Sequence, residues 1–212
     1  MALYDVKPRF RTLLGGLVPA LSPIHPDWIT GAALVCSIGA GFLFRWAVGS
    51  RWIFLLIAAL LLLRITLNAL DGLVAQATGK ARAFGEVLNE STDRLSDIAI
   101  LLGIGFSPLS SPAWSATAVA GVLFSSYVGI LGKAVGAGRQ YGGVLGKADR
   151  MLYLGLACVV AFFVGNPALL CFGDAEVRLF DALLGAFALL SVWTALTRVR
   201  AIHAALAGRR AG

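Results

Sequence analysis

Long apolar stretches alternate with short polar, glycine-rich or proline-rich breaks along nearly the whole chain. A bilayer core of about 30 Å takes about 20 apolar residues to cross as a helix, and six stretches have about that length. We therefore expect an all-α membrane protein with six transmembrane helices, of which the third is the least apolar. The expected spans are residues 28–48, 52–77, 85–106, 112–135, 147–164 and 177–199.

The composition fits a membrane protein and excludes several soluble classes. Hydrophobic residues make up 58% of the 212 residues and charged residues only 14%, whereas soluble domains carry about 25% charge. An ordinary water-soluble enzyme, a disordered chain and a disulfide-stapled secreted chain are therefore excluded. The net charge of +7 would suit a nucleic-acid binder. In a membrane protein, however, lysine and arginine mark the cytoplasmic side, so we expect no nucleic acid.

The residues before the first span, 1–25, form a leader with an amphipathic pattern. A helix opened by Pro8 would gather apolar side chains on one side and turn its arginines toward the other. Those apolar residues are Phe10, Leu13, Leu14 and Leu17. This pattern predicts an interfacial helix, and an irregular charged leader is the alternative. With a six-helix bundle at 28–199 and a basic tail at 200–212, we expect one membrane domain.

The distribution of lysine and arginine predicts the orientation in the membrane. These residues concentrate in the leader, the second-to-third and fourth-to-fifth connections and the C-terminal end, which share one side of a six-span topology. The opposite side carries Arg45, Arg51 and Arg178. The positive-inside rule then places both termini in the cytoplasm. We expect a bacterial-type inner membrane.

The third span carries one face of acidic and amide side chains. They project into an arc of about 100° on a helix, and they comprise Glu86, Asn89, Glu90, Asp93 and Asp97. Each acid at bilayer depth costs about 2.5–3.5 kcal/mol to insert, so the face requires compensation. A metal ion, a buried arginine or a water-filled cavity would each offset this cost.

The second span supplies a polar stripe near its cytoplasmic end. Its members recur at helical spacing: Arg64, Asn68, Asp71 and Ala75. Hard oxygen ligands select magnesium or manganese rather than zinc, and the two spans offer four of them: Asn68, Asp71, Asn89 and Asp93. Polar contacts between helices and an ion pathway are the alternatives to a metal site.

The residues from 68 to 93 resemble the signature of the CDP-alcohol phosphatidyltransferase family. That signature reads Asp, two residues, Asp-Gly, two residues, Ala-Arg, eight residues, Gly, three residues, Asp, three residues, Asp. Every spacing is kept here, at Asn68, Asp71, Gly72, Ala75, Gln76, Gly85, Asn89 and Asp93. Residues 26–30 and the amphipathic leader are also similar to the start of the family's first span.

The resemblance implies a membrane enzyme of phospholipid synthesis that depends on Mg²⁺ or Mn²⁺. Such an enzyme transfers a phosphatidyl or related phospho-alcohol group from a CDP-alcohol, with CDP-diacylglycerol as first choice, to an acceptor hydroxyl and releases CMP. By position, Asp71 would be the central metal ligand and Asp93 the general base nearest the acceptor. Asn68 and Asn89 would hold the remaining ligand positions. The CDP pocket would be lined by Gly72, Ala75, Gln76 and Gly85.

Three identities depart from the signature, at Asn68, Gln76 and Asn89. Four aspartates would match the charge of two divalent ions, whereas Asp71 and Asp93 alone match one. Asp97, one turn beyond Asp93, joins the candidate metal ligands because it would restore charge, and Arg64 is a candidate replacement for a missing cation. We expect one tightly bound ion or two weakly bound ones.

A second polar cluster lies between the fourth and fifth spans, in a glycine-rich segment. Its place resembles that of the acceptor-phosphate pocket in family members that use inositol phosphate. Glycine-rich backbone with lysine and arginine can hold a phosphate, and the candidates here are Lys133, Arg139, Lys147 and Arg150. The alternative is an ordinary cytoplasmic loop that follows the positive-inside rule.

These inferences predict an enzyme whose active site opens to the cytoplasm between the second and third spans. Its partners would be the CDP-alcohol, membrane lipids and an acceptor alcohol with or without a phosphate; glycerol phosphate, inositol phosphate, serine and a lipid hydroxyl all stay open. The resemblance also allows a homodimer. Two rival functions are a catalytically inactive family member that binds a lipid nucleotide or acts as a scaffold, and a small ion or solute transporter.

Overall fold

A computed structural model describes residues 14–172 and 175–208, and six long helices make up most of them. A four-residue helical turn, Val18–Leu21, precedes the first long helix. The long helices are α1 Pro26–Leu43, α2 Trp52–Ala77, α3 Ala83–Gly105, α4 Pro112–Ala134, α5 Lys147–Val164 and α6 Leu179–Gly208. The amphipathic leader helix expected from Pro8 onward lies mostly outside the described residues.

The helices follow the expected spans, and at two of them an end differs by more than two residues. The first ends at Leu43, and residues 44–49 form turns with i→i+3 backbone hydrogen bonds such as Arg45 N–H to the Phe42 carbonyl. The sixth begins at Leu179 and continues to Gly208. Among the described residues, α1, α2, α4 and α6 are long and apolar enough to cross a membrane. Passage of α3 and α5 through the bilayer therefore stays a prediction.

The predicted all-α membrane fold fits the mostly helical structure, and one connection between helices contains two short strands. Between α5 and α6 the strands β1, Ala168–Phe172, and β2, Ala175–Arg178, form an antiparallel hairpin. Gly165, at φ +79°, ends α5. The Asn166 side chain then fixes the chain reversal, because it donates to the Leu109 carbonyl at 2.8 Å and accepts from the Phe180 N–H at 3.3 Å.

Helix α1 packs against both α2 and α3, and this arrangement positions the polar site. The backbones of α1 and α3 touch: a Cβ on Gly41 would collide with the Ala99 carbonyl, and one on Gly103 with Gly41. Small residues permit such close packing between membrane helices. Helix α3 also packs on α4, α2 on α5, and α4 on α6.

Candidate active site

Asp71 of α2 is the buried carboxylate around which the polar site is built. It is only 4% exposed, and the Thr30 hydroxyl of α1 donates to its Oδ2 at 2.8 Å. Its Oδ1 is buried and has no hydrogen-bond partner among the described residues, and the same holds for Oδ1 of Asn89 on α3. Buried acceptors are nearly always paired in proteins, so these two oxygens mark a place for a cation or a donor from a ligand.

A cavity of about 610 Å³ opens beside these oxygens, within the usual size range of small-molecule pockets. Its wall is formed by the ends of α1, α2 and α3, together with the connections after α2 and α4. The four residues expected to line a CDP pocket all line it: Gly72, Ala75, Gln76 and Gly85. A Cβ added at Gly72 would meet no atom within 4 Å, so the backbone of α2 faces open space there.

The mouth of the cavity carries charges that neutralise one another. Arg82 at the start of α3 forms an ion pair with Asp27 at the start of α1. Arg139 pairs with Glu90 and lies over the Tyr141 ring, 5.0 Å from its centroid. Burial lowers the pKa of Arg139, but the hydrogen bond to Glu90 and the nearby negative charges outweigh it and raise that pKa above its ordinary value. Arg139 is therefore a permanent cation.

The acidic face of α3 and the cations at the end of α4, in the α4–α5 connection and at the start of α5 form one ladder of ion pairs. Lys133 contacts Glu86 at 2.6 Å, Arg139 contacts Glu90, Lys147 contacts Asp93 at 2.5 Å, and Arg150 contacts Asp97 at 2.7 Å. Each acid thus meets one of the four candidate phosphate-binding cations. Cations of the protein itself therefore supply the compensation that the acidic face requires.

Local structure directs these cations toward α3. The Asp149 carboxylate accepts from the Gly146 N–H at 2.8 Å and caps the first turn of α5, from which Lys147 and Arg150 project. The preceding glycine-rich segment is held against α4 and α6 by Arg198, which donates to the Gly142 carbonyl at 2.9 Å and to the Ser125 carbonyl at 2.6 Å.

Arg64 of α2 adds a further cation at the inner end of the ladder. Its side chain is completely buried, and Nη2 lies 3.7 Å from Asp93 Oδ1 and 3.7 Å from Asp97 Oδ1. Arg94 approaches the other Asp93 oxygen at 3.9 Å. Asp93 is therefore surrounded by three cations, and Asp97 by two.

The candidate ligands separate into two groups. Asp71 and Asn89 line the cavity, whereas Asn68, Asp93 and Asp97 do not. Asp71, Asp93 and Lys147 nevertheless lie close enough to interact electrostatically. Within 14–172 and 175–208, no three His, Cys, Asp or Glu side chains are grouped to hold a metal ion. The oxygen set beside the cavity is instead one carboxylate and one amide, which suits a single hard cation that also binds ligand oxygens.

Four residues of the site were not expected from the sequence: Thr30, Asp27, Arg82 and Arg198. Thr30 and Asp27 fall in the segment 26–30 that resembles the start of the family's first span, and that resemblance was the available signal for them. Arg82 and Arg198 act through contacts with residues more than 50 positions away, at Asp27 and Gly142. Sequence spacing carries no signal for such contacts.

Comparison with known proteins decides the family. The archaetidylinositol phosphate synthase of Methanothermobacter thermautotrophicus is 30% identical over 199 residues, which cover 92% of this chain and 95% of that protein. The chain belongs to the CDP-alcohol phosphatidyltransferase family. It is therefore a membrane transferase of phospholipid synthesis. No protein-family model matches the chain.

Two further relatives agree with this membership. Inner membrane protein YnbA of Escherichia coli is 32% identical over 206 residues, covering 95% of this chain and 96% of that protein. This supports an integral inner membrane location. The crystal structure of Mycobacterium tuberculosis phosphatidylinositol phosphate synthase with CDP-DAG bound matches with a TM-score of 0.67 at 21% identity, over 91% of this chain and 92% of that one. This match shows that the two proteins share a fold.

Proposed function

We propose that the chain transfers a phosphatidyl group, or a related phospho-alcohol group, from CDP-diacylglycerol or another CDP-alcohol to an acceptor hydroxyl and releases CMP. The observation that carries the proposal is the cavity at the ends of α1–α3, where the unpaired oxygens of Asp71 and Asn89 meet the open backbone at Gly72. A relative of the same fold binds CDP-DAG, and one of its structures contains manganese.

A divalent cation, Mg²⁺ or Mn²⁺, fits the oxygens beside this cavity. Asp71 and Asn89 would hold it, and Asn68, about one helical turn before Asp71, is a third candidate because its buried amide nitrogen has no hydrogen-bond partner among the described residues. When bound, such an ion neutralises charge on the diphosphate and on the departing CMP oxygen. Thr30 fixes the Asp71 carboxylate, as hydrogen-bonded neighbours of metal ligands commonly do.

The chain's own residues would orient both substrates for direct transfer. The acceptor oxygen forms a bond to the phosphorus that carries the alcohol, while the bond from that phosphorus to the CMP oxygen breaks. The hydroxyl proton passes to Asp93, which lies close enough to Asp71 of the cavity to interact with it electrostatically. Gly72, Ala75, Gln76 and Gly85 hold the nucleotide by close contact with the backbone.

The ladder cations divide into two groups in this proposal. Lys133 and Arg139 pair with the partly exposed Glu86 and Glu90, so a phosphate on the acceptor has access to them. Lys147 and Arg150 pair with buried aspartates, and we assign them to charge compensation. The active site faces the cytoplasm and both termini lie on that side, in keeping with the positive-inside rule.

Purified protein with labelled CDP-diacylglycerol, Mg²⁺ or Mn²⁺ and a panel of acceptors tests the proposal. We expect acceptor-dependent CMP release that falls at least a hundredfold in Asp93→Asn, in line with the loss of a general base (about 10²–10⁴). Undiminished release in that variant would remove Asp93 from its role. No release with any acceptor would leave a lipid-nucleotide binding protein, which the departures at Asn68, Gln76 and Asn89 favour as the second candidate.

A further inference from the structure

We propose that Lys147, supported by Arg64, supplies at Asp93 the positive charge that a second divalent ion would otherwise supply, so that the site binds one metal ion. The inference rests on the proposed function, because it concerns the metal at the same site. In this inference, the ammonium group of a residue in α5 takes the place of a metal ion that the carboxylates of the site would otherwise bind from solution.

The first support is the set of contacts that Asp93 already makes. Its Oδ2 lies 2.5 Å from Lys147 Nζ and 3.9 Å from Arg94 Nη2, and its Oδ1 lies 3.7 Å from Arg64 Nη2. Both oxygens therefore face protein cations, and the side chain is only 4% exposed. A metal ion bound to Asp93 would have to displace Lys147.

The second support is electrostatic. A divalent ion at Asp93 would lie close to Lys147, Arg64 and Arg94, and repulsion between like charges is strong where water is excluded. The Arg64 guanidinium is completely buried, and its Nε, Nη1 and Nη2 have no hydrogen-bond partner in the part of the chain that the structure describes. Its effect on Asp93 and Asp97 is therefore mainly that of a fixed charge.

The third support is the contrast with the other half of the site. Asp71 Oδ1 and Asn89 Oδ1 are buried and unpaired among the described residues, and both side chains border the cavity. Asp71 has a hydroxyl from Thr30 where Asp93 has an ammonium from Lys147. One half of the site thus keeps free oxygen ligands, and the other half already has its cation.

The alternative explanation is that Lys147 only neutralises a buried acid and has no relation to metal stoichiometry. The count of bound ions separates the two, because a structural ion pair would not determine it. The count discriminates better in a protein that carries Asn89→Asp, because this substitution adds a carboxylate to the candidate metal ligands. We expect that an added carboxylate recruits a second ion only after Lys147 is neutralised.

The experiment counts Mn²⁺ bound to the purified full-length chain in detergent, with CDP as the nucleotide probe, by titration calorimetry and by the electron paramagnetic resonance signal of free Mn²⁺. We expect one ion for the wild type and one for Asn89→Asp. We expect two for the double variant Asn89→Asp with Lys147→Gln. The matched control, Asn89→Asp with Lys80→Gln, removes a lysine that lines the cavity and does not pair with Asp93, and it should keep one ion.

Asp93→Asn provides an independent arm that does not depend on folding of a Lys147 variant. We expect it to keep one Mn²⁺ with a dissociation constant within threefold of wild type, although it loses CMP release. The inference would be overturned if the wild type bound two ions tightly or bound none. It would also be overturned if Asp93→Asn bound Mn²⁺ more than tenfold more weakly, or if a well-folded double variant bound a single ion. Acceptor-dependent CMP release by the same preparation reports separately on the proposed function.

Discussion

Replacement of Gly72 by alanine separates the stability of α2 from its function. Gly72 lies inside the helix Trp52–Ala77 and lines the cavity, and an added Cβ would meet no atom within 4 Å. Alanine favours a helix interior over glycine by about 0.5–1 kcal/mol, and no clash opposes that gain. We therefore expect Gly72→Ala to be more stable than the wild type, by about 2–4 °C for each kcal/mol in a chain of this size.

The same methyl group would project into the space that the proposed nucleotide occupies. A displacement of about 1 Å in a positioned substrate can cost about a hundredfold in rate. We expect kcat/KM for CDP-diacylglycerol to fall at least tenfold, which corresponds to about 1.4 kcal/mol of lost transition-state stabilisation. The two measurements are thermal unfolding in detergent and initial rates of CMP release.

Gly155→Ala is the matched control, because Gly155 also lies inside a helix, α5, and its added Cβ would also meet no atom within 4 Å. It lies outside the cavity lining, so the control should gain similar stability and keep wild-type kinetics. Wild-type kcat/KM in Gly72→Ala would refute the assignment of this backbone to the nucleotide. A lower unfolding temperature would show that the α2 face is packed in the folded protein.

Three further predictions concern the metal and its ligands. Thr30→Val removes the hydroxyl that donates to Asp71, and titration should show about 10–100-fold weaker Mn²⁺ binding, with Thr30→Ser near wild type. Asp71→Asn should lose both Mn²⁺ binding and CMP release, whereas retained binding would argue against Asp71 as a ligand. Removal of the divalent ion with a chelator should abolish activity but leave the helical circular dichroism signal unchanged, because ion pairs within the protein compensate the acids of α3. Loss of the helical signal would contradict this account.

The helices could be predicted because the relevant signal is local. An apolar run of sufficient length predicts a span, and α2 and α5 begin and end at the residues expected for them. The residues expected at a CDP pocket also meet at one cavity, because their fixed spacing places them on α2 and α3, and α1 packs against both of these helices.

The features that could not be predicted depend on contacts between distant segments. The hairpin between α5 and α6 is fixed by Asn166, which bonds to Leu109, 57 positions away. The acidic face and the basic cluster were recognised separately, as a metal site and a phosphate site. Their one-to-one pairing follows from the packing of the α4–α5 segment on α3. This packing cannot be predicted from the composition of either segment.

The ion pairs explain how this membrane protein can keep buried acids although two of the four aspartates of the family signature are asparagines here. In a site with four aspartates, dissociation of two metal ions would leave four negative charges without partners, and burial of unpaired charge is costly. Here Asp93 and Asp97 keep protein cations at 2.5 Å and 2.7 Å, so their charges are compensated without any metal ion. Asp71 contributes a single charge to the cavity, so the remaining charge of a bound divalent ion must be matched by its ligand. A diphosphate supplies that charge, and metal and nucleotide should therefore bind more tightly together than either does alone.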